Sequence, residues 1–272
     1  KRLFNLGGRS ATDLTPGKFE GALSIEFDIS DPWFMKGVLG DLSTSGTGPY
    51  YHTFTEANRP PSLTIENGVS GMVRKYLGCV IGDCRITQAV GDEPAKAALT
   101  IMYADESLTS GNTVQTAATD GVYPFSYGSI EYPTGTLIAE TESVEMTITN
   151  NAAIKHALGS RKGTRYDMRA RTYDVTTTHF FNDPDTYMKK AYGLPTATAP
   201  VSGFISGQVG LLISFDNGEV SAATRKWLYR FGHAVIDRHG LGTQSIESEQ
   251  METVDIIPES VLIQCANNTS GM

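Results

Sequence analysis

Residues 22–40 read Ala-Leu-Ser-Ile-Glu-Phe-Asp-Ile-Ser-Asp-Pro-Trp-Phe-Met-Lys-Gly-Val-Leu-Gly, and this stretch decides the fold class. Leu23, Ile25, Phe27 and Ile29 alternate with Ser24, Glu26, Asp28 and Ser30. Period-two alternation sets one row against a core and the other in water, the mark of a half-buried antiparallel strand. Asp31-Pro32 then predicts a short helix, with Asp as N-cap and Pro at the first position, ended by Gly40.

The same grammar returns about 150 positions later. A Thr-rich strand (Tyr173, Val175, Thr177) leads to Asp183-Pro184, then Met188-Lys189, then Gly193. Leu6-Gly7-Gly8-Arg9 is echoed by Leu158-Gly159-Ser160-Arg161. Leu63-Thr64-Ile65-Glu66-Asn67-Gly68 returns as Ile213-Ser214-Phe215-Asp216-Asn217-Gly218, and Arg74-Lys75-Tyr76-Leu77 as Arg225-Lys226-Trp227-Leu228. Echoes in one order at a nearly constant spacing predict an internal duplication. The expected fold is mainly β: two antiparallel β-sandwich or partial-barrel units, each with a short flanking helix. Residues 1–105 form the first unit, 106–139 a connecting loop or long hairpin, and 140–272 the second unit, with a polar tail from Asn267. Two copies are too few for a solenoid and suit a fold presented twice around a ring.

Further strands are expected at 63–66, 79–87, 97–103, 144–149, 211–216 and 261–265. Ser221 as cap, with Trp227, Leu228, Phe231, Ala234 and Val235 at helical spacing, predicts a helix over 221–239. Residues 194–207, rich in Pro and Ala, read as a loop.

The net charge of −8 over 272 residues argues against a protein that grips phosphates. No run approaches the roughly 20 apolar residues of a membrane span. The sequence starts at Lys1 without an initiator Met, which leaves room for a processed or unobserved leader. Cys79 and Cys84 are spaced for neither a redox pair nor a zinc knuckle, and read as buried thiols; a disulfide would need a tight turn at Gly82-Asp83. His52, His156, His179, His233 and His239 form no zinc-protease motif, and no nucleophile elbow, Walker loop or dinucleotide fingerprint is present. Glu140/Glu142 and Glu247/Glu249 read as solvated edges rather than a glycosidase pair. No catalytic, cofactor or metal residue is therefore assigned. The basic cluster Arg161, Lys162, Arg165, Arg169 and Arg171, with Asp167 and Asp174 beside it, reads as a charged contact between subunits before a nucleic-acid contact. Asn267-Asn268-Thr269 and Asn268-Thr269-Ser270 are glycosylation sequons.

Several of these motifs together resemble a known family. They are Asp31 to Gly40, His52-Thr53-Phe54, Pro61 to Glu66, Tyr76-Leu77-Gly78-Cys79-Val80 with a paired strand ending near Ala104, Tyr123-Pro124-Phe125, Thr147 to Asn151, and Gly159-Ser160-Arg161. The pattern, scattered over about 190 residues, resembles the tail tube proteins of long-tailed phages and related archaeal tailed viruses. The resemblance implies a structural virion protein whose units stack as rings, their strands joining into one barrel around a DNA channel. Its partners would be further copies of itself, other tail proteins, and viral DNA without sequence-specific binding. The commonest pattern has one unit per chain and six chains per ring; two units per chain imply three chains in a pseudo-six-fold ring. A baseplate or host-binding β-sandwich module is the alternative, ahead of a carbohydrate-acting enzyme. The lumen wall is expected to be polar and acidic, with the strand at 172–178 and the polar face of 24–30 as candidate linings.

Overall fold

The computed structural model describes residues 2–3, 13–14, 17–47, 49–69, 71–111, 121–132, 134–135, 137–138, 140–181, 198–199, 210–218, 226–241 and 250–267. In chain order the strands are β1 (Arg2–Leu3), β2 (Asp13–Leu14), β3 (Gly21–Asp28), β4 (Gly40–Ser45), β5 (Tyr50–Glu56), β6 (Leu63–Val69), β7 (Met72–Ala89), β8 (Lys96–Tyr103), β9 (Asp105–Thr109), β10 (Ser129–Glu131), β11 (Thr141–Thr149), β12 (Ala153–Lys155), β13 (Arg165–Asp167), β14 (Thr172–Phe180), β15 (Leu211–Asp216), β16 (Lys226–Phe231), β17 (Ala234–Leu241), β18 (Met251–Pro258) and β19 (Val261–Asn267). The helix α1 (Met35–Leu39) and a 3-10 turn at Phe125–Tyr127 complete the described elements. The protein is mainly β and its ladders are antiparallel.

The larger sheet runs β17-β18-β14-β11-β7-β8-β3, with β6 and β9 flanking the first half of β7. A second sheet runs β10-β15-β16-β19-β5-β4. Strands from both sides of 106–139 thus share both sheets and one core. At its centre Trp227 stacks on Tyr229 at 5.5 Å and meets Phe34 at 5.6 Å and Tyr123 at 6.0 Å. All four rings are buried, each worth about 1.5–3 kcal/mol of transfer free energy.

β7 runs through both Gly78 and Gly82. Gly78 holds φ at 61° where the strand turns from its β6/β9 flank into the main sheet, a conformation that disfavours a side chain. At Gly82 an extra residue forms a bulge opposite β8.

Three expectations need correction. The helix over 221–239 is not formed in its described part: 226–231 and 234–241 are β16 and β17, and 219–225 lie outside the described residues. Trp227, Tyr229 and Phe231 are the buried row, at period two, and Gly232-His233 separates the strands. Asp31 does not cap the helix, which begins after Phe34; its carboxylate accepts from Trp33 N at 3.1 Å and forms an Asx turn instead. Asn267 is no frayed residue: it ends β19, buried, with Oδ1 2.9 Å from His52 Nε2, and so is not presented for glycosylation. The second Asp-Pro motif, Gly193 and Leu6 to Arg9 lie outside the described residues.

Candidate assembly surface

The outward face of the main sheet is built by alternation. β3 turns Leu23, Ile25 and Phe27 to the core and Ser24, Glu26 and Asp28 outward. β14 buries Tyr173, Val175, Thr177 and His179 and presents Thr172, Asp174, Thr176 and Thr178. The two expected lining segments therefore lie on one face of one sheet. Pairing carries a row across it: Asp28, Lys96, Thr87, Glu145, Thr176, Asp255 and Arg238 are successive cross-strand partners. With Glu26, Asp83 and Asp174 added, carboxylates outnumber the cations Arg85, Lys96 and Arg238.

Two of those cations are already engaged. Arg85 bonds to Glu145, and Lys96 Nζ lies 2.8 Å from Glu93. Each carboxylate raises its partner's pKa and keeps the cation charged. Thr176 Oγ1 donates to Asp255 Oδ1 at 2.8 Å. This face offers phosphate hydroxyls and carboxylates, not an open row of Lys and Arg.

Three members of the basic cluster of the 161–171 segment are engaged within the chain. Arg161 Nε donates to Gly17 O at 2.9 Å, and Lys162 pairs with Asp105 at 2.5 Å. Arg171 is half-buried: it donates to Asn150 Oδ1 at 2.6 Å and, through Nη2, to the carbonyls of Leu39 and Ala57, with Glu56 at 3.9 Å. Asn150 Nδ2 in turn donates to Val38 O. The C-terminal carbonyls of α1, in the first half, are thus satisfied by residues of the second. Arg165 and Arg169 are exposed.

Among the described residues the remaining sequence candidates lie apart from one another. All three cysteines are buried thiols. Glu140 and Glu142 are exposed at the start of β11, and Glu247 and Glu249 lie outside the described residues. Among the described residues no three His, Cys, Asp or Glu side chains are grouped to hold a metal.

Sequence reading missed the way both halves use the same ladders. Arg2↔Leu14 in β1–β2 and Ile154↔Tyr166 in β12–β13 are the same pair shifted by 152 positions. Leu23↔Ile101 matches Val175↔Ile256. The bulge falls between Ile81 and Asp83 in one half and between Ile236 and Arg238 in the other, opposite Ile101 and Ile256. Likewise β6-β7-β9 is matched by β15-β16-β19. The signal lay in the echo of Arg74-Lys75 in Arg225-Lys226, which a helix reading of the second copy obscures.

Four equivalent core-facing positions differ in polarity. Ile25, Phe27, Cys84 and Ala97 in the first half are apolar. Their counterparts are Thr177, His179, His239 and Glu252, with His239 Nε2 3.1 Å from Glu252 and His179 bonded to Thr141 and Thr177 at 3.0 and 2.7 Å.

The family described as phage tail tube protein matches residues 5–223. No curated protein matches the chain. The chain belongs to the phage tail tube protein family: it is a structural protein of the virion tail.

Proposed function

We propose that the chain polymerises into stacked rings forming the tube through which viral DNA passes, with three chains per ring, and that it catalyses no reaction. One observation carries this reading: β17-β18-β14 and β7-β8-β3 occur in the same order and the same direction along one sheet. Two-fold symmetry would reverse the order. A head-to-tail repeat continues outward from both edges, and such heterologous contacts close into a ring when the rotation allows. The two units, 1–105 and 140–272, then act as successive wall segments linked by 106–139.

Strand parity supports the internal junction as template. β3 and β17 run the same way, so one strand between the β3 of one copy and the β17 of the next keeps the sheet antiparallel, as β11 does between β14 and β7. The outward face forms the lumen wall. Its acidic excess repels phosphate over about 8 Å at physiological salt, so DNA is cushioned rather than held.

The test is electron microscopy of the purified full chain. Rings and tubes with six wall segments made of three chains are expected. A persistent monomer that binds a sugar surface would overturn the reading and favour a host-binding module.

A further inference from the structure

The hairpin β12–β13 of the second half is seated on the outward face of the first. Tyr166 Oη donates to the carbonyl of Gly78 and lies 3.4 Å from that of Met102. Gly163 N donates to Ala104 O at 3.4 Å, and Lys162 pairs with Asp105. Val80, the cross-strand partner of Met102, is only 2% exposed although it stands outside the main core cluster. The second half repeats this seat. Val235↔Ile257 is the same cross-strand pair, both members shifted by 155 positions, and each pair lies next to the equivalent bulge. Here, however, Val235 is 43% exposed and Ile257 48%. Two such side chains alone would mean little on a protein surface. What singles them out is a twin that is covered.

The occupant follows from the same repeat. The counterpart of β12–β13 is β1–β2, since Ile154↔Tyr166 matches Arg2↔Leu14. Each hairpin precedes the equivalent strand, β14 or β3. β14 is joined through β11 to β7, so the seat beside β12–β13 lies in the same chain. β3 is the edge of the sheet opposite to β17. We propose that β1–β2 of a second copy of this chain covers Val235 and Ile257, with Leu14 at the place that Tyr166 takes over Met102. The donor is the neighbour because β3 meets β17 and β18 only across a chain boundary in a head-to-tail array. The pairing of chemistries agrees: a tyrosine hydroxyl serves two carbonyls in one seat, and a leucine meets two exposed aliphatic side chains in the other. The proposal rests on the ring reading, and it adds the contact that ties neighbouring subunits together.

The experiment uses the full chain and a short bismaleimide, present while rings assemble, whose reach matches that of the tyrosine in the counterpart seat. The native thiols are buried and stay out of the reaction. Leu14→Cys mixed with Ile257→Cys should give a linked dimer that neither variant gives alone, and Val235→Cys in place of Ile257→Cys repeats the test on the paired strand. Leu14→Cys and Ile257→Cys on one chain should give a ladder ending at the trimer. Ile257→Asp, at an exposed site, should keep the monomer's Tm and lose the rings. Rings that tolerate Ile257→Asp, rings without a linked species, or a link confined to one chain would overturn this proposal and leave the ring standing. Absence of any ring from the unsubstituted chain would sink both.

Discussion

Trp227 and Phe34 come from opposite halves of the sequence and meet in the core at 5.6 Å, so their coupling measures whether the halves fold as one body. Trp227→Leu empties part of a fully buried site and should cost about 3 kcal/mol, the lower end of the large-to-small range. With an unfolding entropy of about 2.1 cal/mol/K per residue, that lowers Tm by about 5 °C for a chain of this length. Phe34→Leu, closer in volume, should cost about 1.5 kcal/mol. The aromatic contact should appear in the double variant as a coupling of about 0.5–1.5 kcal/mol. The assay is urea unfolding of the four proteins, at concentrations where the chain is monomeric, followed by fluorescence and by far-ultraviolet circular dichroism. A single transition with unchanged slope is expected. Costs that add within about 0.4 kcal/mol, or a curve that splits in two, would refute the shared core.

Arg171→Met removes the donor serving Leu39, Ala57 and Asn150; Leu39 O keeps its bond from Ala57 N, but Oδ1 of the buried Asn150 loses its charged donor, which should cost about 1–3 kcal/mol, with Arg171→Lys recovering part in the same denaturation assay. Gly78→Ala forces a side chain onto a φ of 61° and should cost about 1 kcal/mol, seen as a lower Tm. Lys162 holds the Asp105 carboxyl below the usual carboxylate range, so the pair stabilises above the unfolded value near pH 4 and its contribution is lost as pH falls through the lowered folded value. Lys162→Gln should therefore cost no more than about 1 kcal/mol at pH 7 for so exposed a pair, and the difference should vanish by pH 2 in an acid titration. Burial pushes the Cys79 thiol up to about 11 and Cys84 further, so a thiol reagent at pH 8 should find none of the three cysteines before denaturation and all of them after it.

Strands marked by clean alternation, as at Leu23 to Asp28, or by a continuous buried run, as at Leu211 to Asp216, were legible. Leu23 to Asp28 and Leu211 to Asp216 are read from their own side chains, and the structure places both within a residue or two of expectation. The second half of β16–β17 was not legible, because Trp227, Leu228, Phe231, Ala234 and Val235 satisfy helical spacing as well as strand spacing. Sheet neighbours choose between the two: Trp227 lies between Phe215 and Cys265, and Tyr229 between two isoleucines. The hairpin β4–β5 escaped notice for the opposite reason. Its residues are mostly polar, and His52 is buried only because Thr44 and a strand more than 200 positions away complete its hydrogen bonds. The polar outer face of the main sheet was legible as composition and as one-sided strands. Its location was not, since only register brings Glu26 and Asp174 onto one face.

The exchange of Phe27, Cys84 and Ala97 for His179, His239 and Glu252 has a consequence for symmetry. Six identical subunits must solve every position once and repeat the answer six times. In the proposed ring of three such chains, dry and ionisable sites would alternate around the circumference. Anything that seats on it, a terminator or the next ring, then meets three equivalent orientations instead of six. On that reading, carrying both copies in one chain would halve the rotational ambiguity of stacking and let one set of sites diverge while the other keeps the wall intact.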